Sequence, residues 1–101
     1  MILGPSGQNI YPEEIEDKIC SFRYVMEAIV VERGGKITAL IYPDPVRLRK
    51  HGEEGVKRAL RNHIDNVNSE LPKYEQIMDF ELRKEEFEKT PKKSIKRYLY
   101  S

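Results

Sequence analysis

The sequence has little of what a secreted, membrane-spanning or polyanion-binding protein carries. It holds a single cysteine, Cys20, so no disulfide can form within the chain. Its first residues lack the basic start and apolar run of a signal peptide. No uninterrupted apolar stretch approaches the roughly 20 residues that a membrane helix needs. Lys and Arg number 18 against 17 Asp and Glu, and the net charge of +1 gives no long-range attraction to nucleic acid. These absences point to a cytoplasmic protein with no transmembrane segment, although a longer parent chain can still lie against a membrane.

What is present describes a small domain with a large surface. A length of 101 residues suffices for one domain and not for two. Hydrophobic residues make up 39% and charged residues 35%, so the core is modest and charge effects are local.

The chain opens on an apolar triplet, then Gly4-Pro5-Ser6-Gly7, a turn signal that predicts a hairpin or tight loop. Pro12 suits the first helical position, and Glu13 and Glu14 suit the positive end of a helix dipole. A short helix is expected there, with Ile15 and Ile19 on its buried face. Residues 24–31 are rich in β-branched side chains and apolar on both alternating faces apart from Glu27, the pattern of a central strand. Glu32-Arg33-Gly34-Gly35 turns the chain into a second strand, residues 36–42, which Pro43-Asp44-Pro45 ends. Over residues 53–71 a stripe of Val56, Leu60, Ile64, Val67 and Leu71 predicts a helix. Residues 77–82 alternate, with Met78, Phe80 and Leu82 on the apolar face of a half-buried strand. The remaining tail is basic and reads as a loop followed by a short helix. The expected fold is α+β, a small sheet of mostly antiparallel strands, a hairpin plus a further strand, packed with two to three helices.

The segment Gly7-Gln8-Asn9-Ile10-Tyr11-Pro12-Glu13-Glu14-Ile15-Glu16 resembles the stretch that follows the hinge in adenylate-forming enzymes: acyl-CoA synthetases, luciferases and peptide-synthetase adenylation domains. The other end, Glu88-Lys89-Thr90-Pro91-Lys92-Lys93-Ser94-Ile95-Lys96-Arg97, is similar to the terminal signature of the same superfamily. The resemblance implies that residues 1–101 are the small C-terminal domain of an AMP-forming acyl-CoA ligase, with Met1 an internal methionine of a longer chain. Its partner is then its own large N-terminal adenylation domain, which holds most contacts to ATP and Mg2+. In such enzymes the small domain closes in two orientations, one forming the acyl-adenylate and the other transferring the acyl group to CoA. Carried over to this chain, Gly7 lets backbone and pantetheine approach closely, and Ser6, Gln8 and Asn9 line that approach. The Thr-Pro…Ile-Lys-Arg ending looks most like the long-chain fatty acid ligases.

The terminal loop of most members carries a lysine three residues before the Arg, reaching the active site during adenylation, where charge builds on the α-phosphate. In this chain that position is Ser94. Three readings stay open: Lys93 or Lys96, and with less weight Lys92, supplies the cation; the large domain supplies it; or the parent has lost or weakened adenylation. Lys92 and Arg97 are the phosphate-contacting candidates. No metal ligand set is expected. His51 and His63 lack companions at metal or triad spacing and read as structural, Cys20 as a small core residue rather than a nucleophile, and Tyr98 and Tyr100 as residues that dock the tail.

Two readings of other classes compete. A stand-alone module whose basic tail grips phosphate or nucleic acid meets the charge-patch criterion loosely, against the near-neutral total and the lack of an RNA-binding aromatic motif. A non-catalytic docking domain would follow if Ser94 marks lost chemistry.

Overall fold

The computed structural model describes residues 2–3, 9–92, 95 and 99–100. Two short strands, β1 (Ile2–Leu3) and β2 (Asn9–Ile10), pair antiparallel with Ile2 opposite Ile10 and Leu3 opposite Asn9. Helix α1 (Pro12–Cys20) follows, with Pro12 at its first turn beside Glu13 and Glu14, and Ile15 and Ile19 buried, as the sequence predicts.

Strands β3 (Val25–Arg33) and β4 (Lys36–Pro43) form an antiparallel hairpin closed at Arg33 and Lys36. Gly34 and Gly35 both have positive φ, 57° and 78°, the conformation a two-residue hairpin loop demands. A Cβ on either would meet nothing within 4 Å, so the backbone angle and not crowding calls for glycine there. A bulge at Met26 breaks the alternation of β3. It puts Val25 on the face of Ala28 and Val30, under the helices, while Ile29 and Val31 face the other way.

Helix α2 (Pro45–Ser69) starts earlier than the apolar stripe suggests. Pro43-Asp44-Pro45 ends the strand and also starts the helix: the Asp44 carboxylate accepts the Val46 N–H at 2.9 Å, with Pro45 in the first turn. At Gly52, with φ 75° and ψ 165°, the helix kinks; beyond it Val56, Leu60, Ile64 and Val67 face the sheet. A 3₁₀ turn at Lys73–Glu75 leads to β5 (Asp79–Leu82), which pairs parallel to β4 from Thr38–Asp79 to Ile41–Leu82. The parallel pairing follows from the α2 crossover, which returns the chain to the start of β4. The expected apolar face of this strand is corrected at one position. Met78 is 65% exposed, and Ile77 is buried instead, pinned by Asn68, whose side chain accepts its N–H at 2.7 Å and donates to its carbonyl at 3.0 Å.

The sheet order is β3-β4-β5, and both faces are covered. One face, with Ala28, Val30, Ala39 and Ile41, packs on α1 and α2; the other, with Ile29, Val31 and Leu40, packs on Phe87, Ile95 and Tyr100 from the tail. This accounts for a β3 apolar on both sides. Both histidines make packing contacts. His63 Nε2 lies 3.0 Å from the Ile19 carbonyl and stacks on Phe22, and His51 stacks on Tyr24. Cys20 departs from expectation, because it is exposed at the end of α1. Partial desolvation of its thiol, followed by the nearby Glu16 carboxylate, pushes it above its ordinary value. That is the opposite of what activates a thiolate.

Because β3 is an edge strand, its outward N–H groups need partners. Glu16, only 8% exposed, accepts the Val30 N–H at 2.8 Å. Replacing Glu16 with Ala strands that donor and should cost about 1–3 kcal/mol. Glu16→Gln keeps an acceptor and should recover most of the loss. Urea unfolding of the two variants checks this, and equal midpoints would refute the edge-capping role.

Candidate functional site

Each of the two segments singled out by the sequence adjoins an antiparallel pairing. Residues 4–8 connect β1 to β2, and the basic segment is closed by an antiparallel bridge between Lys89 and Ile95.

At the first loop the described residues divide the motif into scaffold and remainder. Ile10 is 1% exposed, Pro12 and Ile15 are buried, and Glu16 caps β3. Four of the motif's most recognisable residues therefore serve the fold. Of the expected CoA-binding residues Ser6, Gly7, Gln8 and Asn9, the first three lie outside the described residues, and the backbone of Asn9 is paired with Leu3.

At the second loop, Lys89 is already engaged. Its ammonium pairs with Glu27 and lies 3.9 Å from Glu86. The hydrogen bond to Glu27 raises its pKa above the ordinary lysine value, more than burial lowers it. Glu27, the one charged residue in the apolar run of β3, thus has a partner that sequence pattern did not assign. Lys89 is thus held in an ion pair on β3. Pro91 and Lys92 are exposed. Lys93, Ser94, Lys96 and Arg97 lie outside the described residues, as does Tyr98, whereas Tyr100 docks on Phe87 as expected. The structure therefore brings Lys89 and Lys92 into one loop.

Elsewhere, a groove of ≈ 410 Å³ between α2 and β5 is lined by Glu53, Lys57, Arg61, Phe80, Glu81 and Leu82. Within it Lys57 pairs with Glu53 at 3.4 Å, Glu81 pairs with Arg33 at 3.0 Å, and the Arg61 guanidinium lies over the Phe80 ring. Among the described residues no cluster of three or more His, Cys, Asp or Glu is placed to hold a metal, and no helix is long and apolar enough to cross a membrane.

The family model described as AMP-binding enzyme C-terminal domain matches residues 1–100. The chain belongs to this family. No curated protein sequence matches it significantly, but solved structures do. The A-PCP didomain of a carboxylic acid reductase from Segniliparus rugosus, in complex with AMP, superposes with a TM-score of 0.79 at 22% identity, covering 95% of this chain and 15% of that one. A fatty acyl CoA synthetase of Mycobacterium tuberculosis gives 0.70 at 21% identity, covering 98% and 18%. A Brucella canis acyl-CoA synthetase gives 0.73 at 24% identity, covering 98% and 18%. At these identities the likeness is one of fold. The chain spans 15% to 18% of the length of these proteins, so the AMP-binding enzyme C-terminal domain is a small part of each relative.

Proposed function

We propose that residues 1–101 are the mobile C-terminal domain of an AMP-forming fatty acid–CoA ligase, working against its own N-terminal adenylation domain. The parent activates a carboxylate with ATP to an acyl-adenylate and then transfers the acyl group to CoA. The family match over residues 1–100 carries the reading, and the spacing of the two loop motifs supports it. Ser6, Gly7, Gln8 and Asn9 face the pantetheine arm in the second step. Lys93 or Lys96 supplies the cation in the first step in place of Ser94, while Lys92 and Arg97 contact phosphate. ATP and Mg2+ are held mainly by the large domain. The preference for long-chain fatty acids rests on the Thr90-Pro91…Ile95-Lys96-Arg97 ending.

A second reading, a carboxylic acid reductase, is favoured by the higher TM-score of the Segniliparus rugosus structure, 0.79 against 0.70 for the fatty acyl CoA synthetase. One experiment addresses both. The enzyme carrying this domain is assayed for ATP–pyrophosphate exchange across a series of carboxylic acids, then for acyl-CoA on adding CoA. Exchange that is strongest with long-chain acids, followed by acyl-CoA release, supports the ligase. Exchange without acyl-CoA points to the reductase, and no exchange with any carboxylate sinks both. The 101-residue chain alone should be inert in either half-reaction, since the nucleotide site belongs to the large domain.

A further inference from the structure

The residues after β5 do more than cover the second face of the sheet. Phe87, 3% exposed, is buried against Ile29, Val31 and Leu40. The Tyr100 ring meets it edge-on, with centroids 5.0 Å apart and planes at 86°. The Tyr100 hydroxyl oxygen accepts the backbone N–H of Glu88 at 2.8 Å, and its carbonyl accepts from the Arg33 guanidinium at 3.3 Å. The Arg83 guanidinium lies over both rings, 4.6 Å from Tyr100 and 4.8 Å from Phe87. Covering an apolar face needs only apolar contact; here a hydroxyl, a carbonyl and a cation add directional contacts.

Those contacts join the chain to itself across 12 residues, from Glu88 to Tyr100. The Lys89–Ile95 bridge closes the same stretch further out, and the Lys89–Glu27 ion pair fastens its near end to β3. Two nested closures thus bound the one segment that holds the chain's cluster of lysines around Ser94.

We infer that Tyr100 is a positioning residue: with Phe87, Glu88 and Arg83 it clasps the base of the basic segment and so fixes where that segment delivers its cation in adenylate formation. The inference rests on the proposed reading of the segment as the adenylation loop. Its physical basis is that a flexible lysine stem gains from a rigid mount, since a cation must reach a developing charge without reorganising. In the second orientation the hinge-side loop, not the basic segment, faces the acceptor, so the clasp acts on one half-reaction.

Two measurements test this. Amide hydrogen exchange on the 101-residue chain with Tyr100→Ala should show residues 88–95 exchanging at least about tenfold faster, with β3 and β4 unchanged. Tyr100→Phe, which keeps the ring and loses only the hydroxyl, should lie between. In the enzyme carrying the domain, Tyr100→Ala should lower turnover in ATP–pyrophosphate exchange by about 10–100-fold. KM for ATP and acid, and thioester formation from pre-formed acyl-adenylate, should stay close to wild type, with Tyr100→Phe recovering much of the rate. Unchanged hydrogen exchange in residues 88–95 overturns the clasp, and equal losses in both half-reactions overturn the positioning role. A wild-type enzyme with no carboxylate-dependent exchange overturns the adenylation reading and the positioning role with it, while hydrogen exchange still decides the clasp.

Discussion

In the enzyme that carries this domain, alanine at one of the two residues Lys93 and Lys96, and not at the other, should lower carboxylate-dependent ATP–pyrophosphate exchange by about 10²–10³-fold, the size of effect expected when one preorganised donor is removed from a developing oxyanion. The same variant should still convert pre-formed acyl-adenylate to thioester, because in the proposed reading that step uses the hinge-side segment instead. The engaged state of Lys89 sharpens the expectation: its ammonium is bound to Glu27, so it cannot double as the mobile cation without breaking that pair. Lys92→Ala, in an exposed turn, should have a smaller effect than the decisive alanine. Restoring a lysine at the expected place by Ser94→Lys is informative in the opposite direction. If both alanine variants keep full exchange and Ser94→Lys raises it, the loop has lost its cation and the parent is a weakened or repurposed ligase.

The fold was largely legible because its elements follow simple periodicities. The α2 stripe of Val56, Leu60, Ile64 and Val67 and the two-glycine turn at Gly34-Gly35 carry their own signals and stand as read, while Leu71, the last residue of the expected stripe, lies beyond the end of α2 at Ser69. What was not legible depended on tertiary partners. Pro43-Asp44-Pro45 reads equally well as a strand end and as a capped helix start, and it is both. Met78 fits an alternating pattern, yet the Asn68 side chain fastens Ile77 and leaves Met78 outside. Cys20 looks like a core residue beside Ile19, but one further step around α1 leaves it exposed. Parallel pairing of β5 could not be read from its own residues, since it follows from where α2 returns the chain. Near the terminal motif, Glu27 as the partner of Lys89 and Arg83 as the cation over Tyr100 were not legible, since each lies outside the motif in sequence. Glu27 did leave a signal, being the lone charge in an apolar strand.

Leu60→Ala should be the most damaging single change to the scaffold. Leu60 is 0% exposed and sits mid-stripe on α2 against the helix-side core. Truncating such a side chain costs about 2–5 kcal/mol, the transfer term plus the cavity left behind. A domain of this size has roughly 5–15 kcal/mol in hand, so the melting temperature should fall by on the order of 10 °C or more. The loss should not stay on the helix side. Successive residues of β3 and β4 point to opposite faces, Val30 and Ala39 toward the helices, Ile29 and Leu40 toward the tail, so neither face can lose its packing while the shared sheet keeps its register. Far-UV circular dichroism, which follows the helices, and tyrosine fluorescence, which includes Tyr100 on the tail, should therefore report one coincident transition in both wild type and Leu60→Ala. Separate transitions would mean that the tail docks as an independent unit, and a shift under about 1 kcal/mol would mean that the α2 stripe is not the main anchor of the sheet.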